Sequence, residues 1–149
     1  MVTIDILNVA KKELGKQEIP LNSNWGEHVQ KYLHSVGIDF PASWCMAFVY
    51  WCVLQTKPVN PLVKTGGVMR QWNEIDPKYK VKVPQAGDIF IMDFGKGLGH
   101  TGFVESVSGN SMITIEGNAT TISGSREGIE VCRKTTRTVS SCKGFIRII

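Results

Sequence analysis

The spacing of apolar residues changes midway along the chain. In the first half, apolar positions recur every three or four residues, as in helices with one buried face. Thr3 offers an N-cap to a first helix whose stripe is Ile6, Leu7, Val9, Ala10 and Leu14, with Gly15 closing it. Asn24 offers a cap to a second, with Val29, Tyr32, Leu33 and Val36 turned inward and Gly37 at its end. After Pro41-Ala42-Ser43, eleven apolar residues run without interruption from Trp44 to Leu54. A bilayer span needs roughly 20 residues, so this run predicts a helix buried on all sides, with Ser43 as its N-cap. A short fourth helix is expected from about Val68 to Trp72, after the Gly66-Gly67 break.

In the second half the period shortens to two. Residues 88–94, 100–107, 111–116, 128–133 and 143–149 are short runs rich in β-branched and aromatic side chains. Turn signals separate them at Gly95-Lys96-Gly97, Ser108-Gly109-Asn110 and Gly124-Ser125. Lys78, Lys80 and Lys82 alternate as the solvated edge of a strand would. Helices first and sequential antiparallel strands afterwards predict one α+β domain over residues 1–149. Its helices are expected on one face of an antiparallel sheet of about five or six strands. A chain of 149 residues is long enough to bury a core without metal or disulfide staples.

The central helix carries a chemical question in Cys45. With Ser43 as cap, Cys45 is the second helical residue, where unpaired N–H groups and the helix dipole favour a thiolate over a thiol. Taken alone, Cys45 reads equally as nucleophile or core residue. Cys52, two turns later, reads as core. A nucleophilic cysteine needs a base within reach. His28 and His34 sit among polar neighbours on the second helix and read as solvent-facing. His100 differs, since it follows Gly95-Lys96-Gly97-Leu98-Gly99 and opens a strand, with Gly102 leaving room beside the ring. On the following strand, Glu116 and Asn118 point the same way by period two. Either can accept the Nδ1 proton of His100 and fix the ring.

Four stretches together resemble a known family: Ser43-Trp44-Cys45-Met46-Ala47-Phe48-Val49, Pro84-Gln85-Ala86-Gly87-Asp88-Ile89, Gly99-His100-Thr101-Gly102-Phe103-Val104 and Ile115-Glu116-Gly117-Asn118. In this order they resemble the CHAP (cysteine, histidine-dependent amidohydrolase/peptidase) family, within the NlpC/P60, papain-like group. The likeness runs from about residue 3 to the C-terminus. It implies a papain-like fold and cleavage of a peptidoglycan amide bond, as muramoyl-alanine amidase or as stem or cross-bridge endopeptidase. Cys45 would then be nucleophile and His100 base, with Glu116 orienting the ring. Asn118 would share that role or bind substrate, and N–H groups at the start of the Cys45 helix would meet the oxyanion. Some relatives bind calcium through an acidic loop before the cysteine. Here Asp39 is the only carboxylate between Val36 and Ser43, so neither a metal site nor a cofactor is expected. Trp44, Trp72 and Trp25 are aromatic candidates for lining a substrate groove, with packing as the plainer role for Trp25 and Trp72. Two rival functions share these residues, a papain-like amidase acting outside the wall and a wall-binding module without activity.

Charge and cysteine usage adjust this picture only slightly. The net charge of +4 lies in the last 24 residues, where Arg126, Arg133, Lys134, Arg137, Lys143 and Arg147 face Glu127 and Glu130. That stretch reads mainly as a solvated strand face that can also attract an anionic polymer. No basic patch interleaved with aromatics and no helix-turn-helix pattern points to nucleic acid. Cys45, Cys52, Cys132 and Cys142 include no C-x-x-C pair. Cys132 and Cys142 flank a hairpin and would pair only in an oxidising compartment. The N-terminal residues lack a basic stretch followed by an apolar one. The expectation is a monomer made in the cytoplasm, without membrane insertion, reaching the wall or periplasm by another route. A holin-type partner or injection, the latter with an immunity protein, fits that expectation.

Overall fold

In the computed structural model of the chain, residues 2–57, 59–120 and 128–148 are described, the side chains of residues 2–5 excepted. Among these residues the chain forms four α-helices: α1 (Val2–Lys12), α2 (Glu27–Ser35), α3 (Cys45–Leu54) and α4 (Val68–Glu74). Six strands follow: β1 (Lys80–Val81), β2 (Ile89–Gly95), β3 (Leu98–Ser108), β4 (Ser111–Ala119), β5 (Glu130–Thr138) and β6 (Gly144–Ile146). They make one antiparallel sheet in the order β1-β6-β2-β3-β4-β5. The α+β architecture is the one the change of period predicts. The turn expected at Gly124-Ser125 lies outside the described residues.

The uninterrupted apolar run becomes α3, with eight of its ten residues buried. On one face of the sheet, α1, α2, α3 and α4 enclose Ile89, Ile91, Phe103, Ile115, Val131 and Ile146. On the other face, Phe90, Met92, Val104, Met112 and Phe145 form a smaller cluster, closed by Val139 and Cys142 beyond β5. Phe48 and Trp44 press so closely on β4 that a Cβ at Gly117 would lie 2.7 Å from Phe48 Cβ and 2.9 Å from the Trp44 ring. No helix among the described residues is long and apolar enough to cross a membrane.

Helix starts depart from the cap reading. Thr3 lies within α1 and does not cap it. Asn24 takes a left-handed turn (φ 54°), and α2 begins only after Gly26, whose missing Cβ lets the chain pass against Ile19. Trp44, not Ser43, precedes α3, so Cys45 is the first helical residue and not the second. The indole explains this start. It is fully buried, stacked on Tyr32 with ring centroids 5.5 Å apart, and donates a 2.8 Å hydrogen bond to Glu18 Oε2. That anchor determines where the extended chain ends.

The described basic residues of the C-terminal stretch are exposed or half-buried, as on a solvated face, and the strands also bring carboxylates alongside them. Arg133 pairs with Glu105 at 2.7 Å, Arg137 with Glu116 at 2.7 Å, Lys143 with Asp93 at 3.7 Å and Arg147 with Asp88 at 2.8 Å. Asp88 is fully buried, and it also accepts from the Gln85 N–H at 2.8 Å. The approach Pro84–Asp88 is thereby pinned to the residue after β6. At the other end of the sheet, residues 15–18 lie along β5. Gly15 N–H donates to Val131 O, Val131 N–H to Lys16 O and Glu18 N–H to Ile129 O, each at 2.9 Å.

Candidate active site

The contact of α3 with β4 at Gly117 sets the N-terminus of the helix against the sheet, and Cys45 with it. Cys45 is nearly buried, at 5% exposure. The first intrahelical bond runs from Phe48 N–H to Trp44 O at 2.9 Å. The N–H groups of Cys45, Met46 and Ala47 therefore have no acceptor within the helix.

His100 sits near the start of β3, opposite Met92 of β2. The Cys45 side chain lies near enough to raise the ring's affinity for a proton, and the His100 Nε2 meets Glu116 Oε1 at 2.8 Å. Because Nε2 is held by the carboxylate, Nδ1 is the ring nitrogen left to face the thiol. The expectation that the third residue accepts from Nδ1 is reversed in this respect, while the three side chains do come together. Glu116, not Asn118, meets the ring. A bulge between Glu116 and Ala119 takes Asn118 off the ladder with φ 52°, so period two does not carry across it. Asn118 instead lines a cavity beside His100.

Glu116 is fully buried and receives two further partners that the sequence reading missed. Arg137 donates twice, Nη2 to Oε1 at 2.7 Å and Nε to Oε2 at 2.8 Å, and the Thr114 hydroxyl donates to Oε2 at 2.6 Å. A bulge on β5 is what brings Arg137 round. Thr114 faces Lys134 while Met112 faces Arg137, so one extra residue lies on β5 between them. In an unbulged strand Thr136 would share the face of Lys134 and Arg137 would turn away. Gly102 makes the packing possible, since a Cβ there would lie 2.8 Å from Glu116 Cγ and 2.9 Å from the Phe90 ring. The room it leaves is for the carboxylate arm.

These contacts set the charges. Burial works to lower the affinity of His100 for a proton. Hydrogen bonds to Cys45 and Glu116, with the negative charge of both, outweigh it and raise the pKa from 6.5 to about 9. For Glu116 burial acts upward, and the Arg137 fork and His100 overcome it, holding the pKa down at about 2. At neutral pH the site therefore combines a cationic imidazole with an anionic carboxylate. The other three cysteines, like Cys45, form no disulfide. Burial pushes Cys52 well above the usual thiol range and Cys132 to about 11.

The tryptophans play other parts. Trp44 is fully buried, so it offers no surface to a substrate and serves to fix the start of α3. Trp72 packs where a Cβ at Gly144 would lie 2.4 Å from its ring, and Lys80 Nζ lies 4.4 Å from its centroid. Trp25 packs against the helical core, edge-on to His34. None of the three lines the cavity beside His100, whose volume is about 670 Å³ and whose walls include Phe94, Leu98, Asn118, Lys134 and Arg137. Among the described residues, no group of three or more His, Cys, Asp or Glu side chains is placed to hold a metal ion.

A cysteine at a helix N-terminus, beside an imidazole that a buried carboxylate orients, can perform nucleophilic acyl transfer. In comparisons with known proteins, a family model described as CHAP domain matches residues 37–118, more than half of the chain. Neither curated proteins nor solved structures gave a match.

Proposed function

The chain belongs to the CHAP domain family, whose domains are amidase- and peptidase-type hydrolases, and on that premise we propose that it cleaves an amide bond of peptidoglycan with Cys45 as nucleophile. The observation that carries the reading is His100, held by Glu116 at 2.8 Å and raised in proton affinity by the neighbouring Cys45. The Cys45 sulfur attacks the amide carbon, and the carbonyl oxygen becomes an oxyanion facing the free N–H groups at the start of α3. Loss of one such donor typically costs about 3–4 kcal/mol in the barrier. His100 gives its proton to the leaving amine as the C–N bond breaks, which leaves a thioester on Cys45. It then takes a proton from water, whose oxygen attacks the thioester and releases the carboxylic acid and the Cys45 thiolate, with the imidazolium restored. Glu116 orients the ring and stabilises its cationic form.

The test is incubation of the protein with purified wall sacculi, followed by mass analysis of the released fragments. New amine and carboxyl ends are expected, at a stem peptide, a cross-bridge or the lactyl-alanine bond. Cys45→Ala should release nothing. If Cys45→Ala releases fragments at the wild-type rate, Cys45 is not the nucleophile. Intact sacculi after treatment with folded wild-type protein would instead point to an amide substrate outside the wall.

A further inference from the structure

The cavity beside His100 is unlike the rest of the site in its charge. Its volume of about 670 Å³ falls in the range of small-ligand sites. His100 forms part of its wall, so a group seated there is within a residue or two of the bond being broken. Besides the His100 imidazolium, its lining among the described residues holds two cations, Lys134 and Arg137, and no carboxylate. The two are not equivalent. Arg137 is committed through both Nε and Nη2 to Glu116, and that pair is neutral as a unit. Lys134 is half-buried and makes no ion pair among the described residues. At its rim, Phe94 near the end of β2 and Leu98 at the start of β3 stand 62% and 64% exposed. Apolar side chains this exposed at the rim of a cavity favour a ligand that covers them.

We infer that this cavity is a subsite for a free carboxylate carried by the substrate peptide, held by the Lys134 ammonium, with neighbouring methyl or methylene groups against Phe94 and Leu98. The inference rests on the hydrolase reading above and adds the substrate class. A phosphate would need several converging donors or a free guanidinium fork, and the one fork among the described lining residues, Arg137, is already occupied. A single ammonium, with three donors and one charge, matches one carboxylate. The subsite therefore selects wall peptides whose side carboxyls are free over those in which they are amidated.

The test uses soluble wall peptides in two forms, one with free carboxyls and one with the same carboxyls converted to amides. Wild-type protein, Lys134→Met and Lys134→Arg are compared on both. Wild type is expected to favour the free-carboxyl peptide about tenfold through KM, and Lys134→Arg to keep most of that preference. With Lys134→Met the ratio should fall close to one. A ratio that Lys134→Met leaves intact, or an equal loss on both peptides, overturns the subsite and leaves the hydrolase reading standing. Binding of the same peptides to Cys45→Ala, with and without Lys134→Met, is measured by calorimetry in parallel. If wild type cuts neither peptide, the hydrolase reading fails, and this binding ratio still decides the subsite. Tighter binding of the free-carboxyl peptide, abolished by Lys134→Met, upholds it, and equal binding of both peptides overturns it.

Discussion

Every lone-pair site of Glu116 is in use: His100 and Arg137 on Oε1, Thr114 and Arg137 on Oε2. Its pH behaviour follows from this. A carboxylate held down at about 2 against 4.5 adds stability that is full above pH 4.5 and is lost as pH falls through 2. An imidazole raised to about 9 from 6.5 adds stability that is full below pH 6.5 and is lost as pH rises through 9. The leaving amine needs the protonated ring, so kcat/KM on wall peptides should decline along an alkaline limb near pH 9. Glu116→Gln removes the bond and the charge that favour the imidazolium, and should move that limb to lower pH. A limb that stays in place would mean another group sets it. Arg137→Lys keeps a positive charge and loses the fork. It should retain the fold and show a smaller shift of the limb than Arg137→Met, which leaves Glu116 buried without its cation. Breaking such a pair costs roughly 3–5 kcal/mol when both partners are buried. The partial exposure of Arg137, at 24% of its side chain, puts the expected loss at the low end, read from urea unfolding.

At the scale of elements, the site depends on α3 lying close against β4. Gly117→Ala would set a Cβ 2.7 Å from Phe48 Cβ, and both atoms belong to packed elements with little room to give. Overpacking of this kind costs about 1–3 kcal/mol. Because α3 carries Cys45 on its first residue, turnover should fall by more than the drop in melting temperature alone accounts for, as measured at a temperature where the variant is fully folded. These elements were largely legible in the sequence, since a buried helix and alternating strands leave different apolar periods. What was not legible came from one-residue insertions in strands. The bulge on β5 turned Arg137 onto the face of Glu116, and the bulge on β4 removed Asn118 from it. Side-chain parity beyond a bulge depends on which partner residue skips a place, and that is decided by pairing across the sheet. The start of α3 was missed for a similar reason. Trp44 is held by Tyr32 and Glu18, both distant in sequence, while a cap reading uses only neighbours.

Across the whole molecule, the parts that complete the site extend past the stretch matched by the family model. Arg137 and Lys134 lie on β5, after residue 118, and the Trp44 anchor Glu18 lies before residue 37. The buried Asp88 is neutralised by Arg147, so the last turns of the chain hold the approach to β2. Residues 15–18 bear on a different risk. They occupy the hydrogen-bonding groups of β5 at Gly15, Lys16 and Glu18, where a sheet would otherwise end in open N–H and C=O groups. Cutting the chain after Gln17 would uncover that margin, and a second copy offering its own β5 could zip onto it. Light scattering of such a shortened protein should report a larger mass per particle than the full chain gives at the same concentration.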